Sequence, residues 1–429
     1  MKPATAHYHR RMHSTALPTP ALRKDVTVIG LIGLAHSVSH FSQLLLAPLF
    51  PWLKDSFAVS YAQLGFLLTI FFVVSCVVQA LSGFWVDRYG PRPILFAGLT
   101  LLGLAAVGYA FSQSYTMLAL FSVLAGAGNG VFHPVDYTLL NRKIDKARLG
   151  HAYSFHGITG SLGWALAPLL LVPVTMAYSW RVALLCAAAL IFLVLLVLWL
   201  QRAELALPTL PRPMVGDMGR SSDSQAAGKT AEGALDFLKI PAVWVCFAFF
   251  FFYAGALSII QSFAPEAARQ LHAVPTQWAA MCLTVYMVGS AGGMVLGGFL
   301  AADPDRCERI VGAAFAVASV LALLIGLASL PAPAVPVLFA AMGFTSGIAG
   351  PSRDLLVKRS APDNATGRVY GVVYAGLDIG QAVVPLLVGS LMDRGAYSSV
   401  WVCLAMLQGV LIVSAFNVRR ARRTAFAAA

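Results

Sequence analysis

Charge is scarce in this sequence. Asp and Glu number 18 and Lys and Arg 30 in 429 residues, so only 11% of the chain is charged. A soluble domain carries roughly 25%. The shortage excludes a water-soluble globule, which could not cover its surface. With 59% hydrophobic residues and a mean hydropathy of +0.76, the solvent is lipid. Cysteine is also sparse: Cys76, Cys186, Cys246, Cys282, Cys307 and Cys403 form no CxxC pair, and five lie in apolar runs. That argues against a disulfide framework and a thiolate zinc site. Gly126, Gly128 and Gly130 lie inside an apolar run, so they are not a phosphate loop. No cofactor motif and no nucleophile–base arrangement is present, so no cofactor is expected and the chain does not read as an enzyme. No small-residue cleavage site follows the first apolar run, which reads as a retained helix.

A spanning helix needs about 20 mostly apolar residues. Twelve segments qualify: 26–49, 61–85, 93–112, 115–140, 150–173, 180–201, 240–263, 277–301, 310–331, 333–357, 368–391 and 398–418. The expected class is therefore an all-α integral membrane protein with two bundles of six helices. The segments divide as a tail at 1–25, a first bundle at 26–201, a linker at 202–239, a second bundle at 240–418 and a tail at 419–429. The linker holds Pro208, Pro211 and Pro213 and then a Gly/Ser-rich run.

The net charge of +12 could suggest nucleic acid, but its placement argues for orientation in a membrane. With the N-terminus inside, 26 of the 30 Lys and Arg fall in inner segments, leaving Lys54, Arg181, Arg269 and Arg394 outside. Both termini are expected in the cytoplasm, with the chain multi-pass in the inner membrane. The expected partners are lipid, protons and a small organic solute, not nucleic acid, and the chain is expected to be a monomer.

The two bundles are copies. Shifting by 217 residues carries Gly126, Gly130 and Pro134 onto Gly343, Gly347 and Pro351. The same shift carries Gly163, Pro168, Leu169 and Leu170 onto Gly380, Pro385, Leu386 and Leu387. Repeated halves in an apolar chain are a property of membrane transporters that work by rocking.

Between the second and third segments the chain reads Gly83-Phe-Trp-Val-Asp87-Arg88-Tyr-Gly90-Pro-Arg92. Gly83 would let helices approach, Asp87 could meet a helix N-terminus or an Arg, Gly90 makes the reversal and Arg92 anchors the interface. This run resembles the signature loop of the major facilitator superfamily, G-x-x-x-D-R-x-G-R-R, and departs from it at Pro91. The resemblance implies a twelve-helix transporter with a gating loop at these residues. Gly298 to Asp303, with Asp305 and Arg306, resembles a decayed second copy. Gly126-x-Gly128-x-x-Val131-Phe132-His133-Pro134, Ser39-His40 and the stretch from Ser154 to Gly163 are similar to the fosmidomycin-resistance type of exporters. That superfamily's common fourth-helix Arg is Ser122 here, so its role does not carry over.

Ionisable groups inside a span are costly, and they usually face an internal cavity. Asp378 lies ten residues past Arg368, about 15 Å along a helix, near mid-bilayer. Tyr374 and Gln381 share its face. His36, His40 and Gln43 form a second stripe, and Asn129, His133, Asp136 and Tyr137 a third; His156 stands with Gly160 and Gly163. His–carboxylate pairs can pass protons near neutral pH, and His133 with Asp136 is the pair proposed by spacing. Arg353 stands at the equivalent depth in the second half, to attract an anion or to anchor the helix end. A metal site on His36 and His40 has no Cys or nearby carboxylate in sequence to complete it. The expected function is proton-coupled export of a drug-like or phosphonate-like compound. Import of an organic anion such as a carboxylate is the alternative, and a non-transporting sensor the third.

Overall fold

The computed structural model describes residues 20–146, 148–207, 241–301, 306–360 and 366–427. The proposed linker and the decayed second signature loop lie largely outside them. Fifteen helices are present among the described residues, and twelve spans among them are long and apolar enough to cross a membrane. The first half holds α1 (Pro20–Gln43), α2 (Phe50–Phe57), α3 (Tyr61–Tyr89), α4 (Pro91–Phe111), α5 (Tyr115–Asn129), α6 (Phe132–Lys143), α7 (Leu149–Ala177) and α8 (Trp180–Leu200). The second holds α9 (Pro241–Ser262), α10 (Ala264–His272), α11 (Thr276–Leu300), α12 (Cys307–Leu327), α13 (Ala334–Ser360), α14 (Thr366–Asp393) and α15 (Tyr397–Ala427).

Three expected helices differ. The first apolar run does not continue to 49: α1 stops at Gln43, and Pro48 and Pro51 fall in a short 3-10 turn and at the start of α2. The fourth breaks at Gly130, because Pro134 has no N–H to donate to the carbonyl four residues back. The Ser82 hydroxyl donates to that carbonyl instead. The last helix runs on past 418 to Ala427. At the opposite end of the bundle from Gly90, Ser60, Ser114 and Ser179 cap α3, α5 and α8, each accepting from a backbone N–H of the first turn.

The repeat is visible in the packing. Within the first half α1 packs on α7, α3 on α5, and α4 on both α5 and α8. The corresponding helices of the second half pair identically: α9 on α14, α11 on α13, and α12 on both α13 and α15. Between halves α3 meets α14 and α7 meets α11, and exchanging the halves turns one contact into the other. That is the pairing of a twofold pseudosymmetric molecule. Large apolar residues such as Phe84, Leu193, Phe299 and Val320 remain exposed on the outer surface, where lipid covers them.

Small residues bring the helices together, as lipid supplies no hydrophobic drive between them. A Cβ at Gly126 would stand 2.4 Å from the Phe71 carbonyl oxygen, and one at Gly343 would stand 2.0 Å from that of Tyr286. Gly163 and Gly380 likewise face backbone oxygens of Ser37 and Phe251. Gly163→Ala is expected to force α1 and α7 apart and to destabilise the protein by about 1–3 kcal/mol, as overpacking does. Tryptophan-monitored thermal melting would read this as a lowered Tm, with Gly157→Ala, whose Cβ meets nothing within 4 Å, as the unshifted control. Equal melting of the two variants would refute this account of the packing.

The halves are joined most firmly at one end. There Asp393, the last residue of α14, accepts from the backbone N–H groups of Tyr61 (2.7 Å) and Ala62 (2.9 Å) at the start of α3. Next to them Glu266 binds Arg269 through two oxygens (2.7 and 2.8 Å), which raises the guanidinium above its ordinary pKa. Phe50 of α2 meets Phe263. Further in, Thr69 donates to the Ala382 carbonyl and Thr284 to that of Ala165. The deepest hydrogen bond between halves among the described residues joins Gln79 to Asp378.

Candidate functional site

The three polar stripes of the first half converge into one cluster, and their meeting is set by the helix pairings. Stacking α1 on α7 puts His36 and His40 over Gly160, where a Cβ would stand 2.7 Å from His40 Cε1 and 3.0 Å from His36 Nε2. The break at Gly130 starts α6, which carries His133, Asp136 and Tyr137 against the same two helices.

Asp136 is the centre and is fully buried. Its Oδ2 lies 3.0 Å from His156 Nε2 in a hydrogen bond. His36 Nδ1 lies 3.2 Å from the same oxygen but off the hydrogen-bonding direction, so that contact is electrostatic. Of the expected His133–Asp136 pair an electrostatic interaction remains, while the hydrogen bond of Asp136 goes to His156 of α7 and His133 Nδ1 faces Gln79. The His36 and His156 rings stack at 3.5 Å between centroids, His40 lies 4.3 Å from His36, and Tyr137 stands 5.5 Å from His156. The sequence-based objection to a metal site is also corrected, because folding supplies the carboxylate that spacing along α1 could not.

Asn129, at the end of α5, ties the neighbouring layer. Its side-chain oxygen accepts from Ser39 (2.9 Å) and Gln43 (3.3 Å), and its amide donates to Ser75 (2.8 Å). Trp164 of α7 donates to Gln43 at 2.9 Å, and its ring lies 4.2 Å from that of His40. Each amide and hydroxyl in this layer thus has a partner, as a buried polar group requires.

Gln79 was missed in the sequence and links the His133 cluster of the first half to Asp378 of the second. In the assigned amide orientation His133 Nδ1 lies 2.8 Å from Gln79 Oε1, and Gln79 Nε2 donates to Asp378 Oδ2 at 3.2 Å. The signal was present: Gln79 carries the one long polar side chain between Gln63 and Asp87 in α3.

In the second half Gln381 donates to Gln261 at 3.3 Å. Arg353 is partly buried, with its guanidinium 4.5 Å from the Tyr253 ring centre and 5.3 Å from that of Phe250. Arg353 is the repeat equivalent of Asp136, so equivalent positions carry opposite charges. The Tyr374 side chain lies outside the described residues.

The signature loop is present in form. Gly90 takes φ +85° and reverses the chain between α3 and α4. Arg92 donates to the Arg202 carbonyl at 3.3 Å, and Arg88 lies over Tyr89. The expected close approach at Gly83 is not made, since a Cβ there would meet nothing within 4 Å. Asp87 is exposed and has no partner among the described residues.

The chain matches the pattern of the Major Facilitator Superfamily over residues 32–329 and 245–429. It is 30% identical over 190 residues to the fosmidomycin resistance protein of Escherichia coli strain K12, covering 42% of this chain and 45% of that one. It is 27% identical over 280 residues to the uncharacterised MFS-type transporter YfnC of Bacillus subtilis strain 168, covering 64% and 65%. The chain thus spans about half to two thirds of the length of these two relatives. A probable sulfoacetate transporter, SauU of Cupriavidus necator, is 21% identical over 397 residues and is covered over 91% of its length, with 89% of this chain. The fold is similar to the crystal structure of a bacterial homologue of the human lysosomal transporter Spinster, in an inward-facing and occupied conformation. The TM-score is 0.72 at 15% identity, over 95% of this chain and 98% of that one. Members of the matching family are transporters and not enzymes, and with twelve apolar spans in two equivalent halves the chain belongs to the major facilitator superfamily as a multi-pass membrane protein.

Proposed function

We propose that this protein exports a small organic solute through the cell membrane in exchange for protons, by rocking its two halves about a central site. The observation that carries the reading is the bridge from Asp378 through Gln79 to His133. It couples a titratable carboxyl in the second half to an imidazole in the first, across the surface along which the halves must move. As drawn, Asp378 accepts from Gln79. With a proton on Oδ2 that oxygen becomes a donor, the amide turns over to accept it, and its NH2 group then faces His133 Nδ1, which must accept. Proton arrival in one half therefore changes the hydrogen bonding of the other.

The excess of Lys and Arg assigns the Asp87 end of α3 to the cytoplasm. The contacts of Asp393 and Phe50 then latch the halves on the outer side. The direction rests on the similarity to a fosmidomycin resistance protein. A second reading, import of an organic anion, is favoured by Arg353 on its aromatic rings and by the similarity to a probable sulfoacetate transporter.

Expression in an efflux-deficient strain tests the direction. A panel of phosphonates and drug-like compounds is expected to include at least one against which resistance rises. Unchanged sensitivity across the panel, with faster uptake of a labelled sulfonate or carboxylate, would replace export by import.

A further inference from the structure

We propose that His36, Asp136 and His156 form a site for one divalent transition-metal ion of the zinc type. One nitrogen from each of the two imidazoles and one carboxylate oxygen lie within 4.8 Å of one another. Two of the separations are 3.0 and 3.2 Å. Donors held at about 2.0–2.2 Å around a tetrahedral ion stand about 3.3 Å apart, so the cage is already near the required size.

The donors come from three packed helices, and all three side chains are buried, with exposures of 3%, 0% and 5%. Three polar atoms in the cluster have no hydrogen-bond partner: Asp136 Oδ1, His36 Nδ1 and His40 Nδ1. Buried polar atoms are normally satisfied, and a cation satisfies all of these types at once. Two imidazoles with one carboxylate suit zinc, cobalt, nickel or iron and not magnesium or calcium, which need more oxygen ligands. His36, His40 and His133 make a second group of the same size. His36 belongs to both groups. Gly160 leaves the room the rings need, since a side chain there would collide with His40 and His36. The rings of His36 and His156 lie 24° from parallel, so loading fans them apart around the ion.

The test uses the full chain purified on a tag without histidine, stripped with chelator and dialysed against micromolar Zn2+. Wild type is expected to retain one zinc per chain by elemental analysis. Asp136→Asn and His156→Gln are expected to lose it about 10- to 100-fold more readily. The N-terminal His7, His9 and His13 are a rival source, so a variant with all three changed to Gln should retain zinc like wild type. Should the cluster variants fail to fold, zinc-edge X-ray absorption of the variant without His7, His9 and His13 decides: imidazole nitrogen and carboxylate oxygen without sulfur is expected. Three results would each overturn the site: no bound zinc, zinc held through sulfur, or zinc lost with the N-terminal histidines. Binding is read on the resting protein, so it stands or falls separately from proton-coupled export.

Discussion

Asp378→Asn is expected to reduce proton-driven accumulation in proteoliposomes to the level of empty liposomes, while exchange of solute down its own gradient continues. Asn keeps the size, and its amide can either accept from Gln79 or donate to it, so both forms of the bridge remain open. It cannot take up or release a proton, so the choice between them no longer follows pH and the halves lose their dependence on the pH gradient. The discriminating pair of measurements is solute accumulation under an imposed pH gradient, and counterflow without one. Loss of the first with retention of the second marks a coupling residue. Loss of both means that Asp378 holds solute or structure, and retention of both removes it from the proton path. Gln79→Ala makes a milder companion. It deletes one bond of about 1 kcal/mol on each side, so accumulation should slow roughly tenfold and not vanish.

Much of this fold could be read before any coordinates. The twelve spans follow from the length of the apolar runs, and the pseudo-twofold pairing of helices was foreshadowed by the shift of 217 residues. The glycines that carry the shift are the ones that touch a facing backbone, which is why they recur together. The titratable residues were legible one helix at a time, because a polar group in hydrocarbon advertises itself. Their meeting was not. Periodicity within a helix says which residues share a face, but it does not say which helix that face will meet. Asp136 was therefore paired with its sequence neighbour His133, when its partners stand 20 residues onward at His156 and 100 residues back at His36. Gln79 was passed over for the same reason: a neutral amide gives no strong signal until both of its partners are in view. Asp393 gave no signal in the sequence, since the N-terminus it caps belongs to a helix 331 residues away.

Asp393→Ala is expected to loosen the end of the molecule that is now closed. The carboxylate meets two N–H groups at the first turn of α3, where the helix dipole adds to the attraction. Its exposure to solvent limits the gain, so roughly 1–2 kcal/mol is lost and the open population rises about tenfold or somewhat more. Amide hydrogen exchange over the first turn of α3 should accelerate by a similar factor, with Tyr61 and Ala62 fastest because they lose their acceptor. Asp87→Ala provides the counter-experiment. That carboxylate has no partner among the described residues, so its removal should leave exchange at Tyr61 unchanged or slower. A protein that rocks between two faces opens one end as it closes the other, so weakening one closure favours the opposite state. If Asp393 and Asp87 are the carboxylates that hold the two closed states, their removal must push the equilibrium in opposite directions. Acceleration by both variants would mean that each destabilises the fold and that neither is a latch.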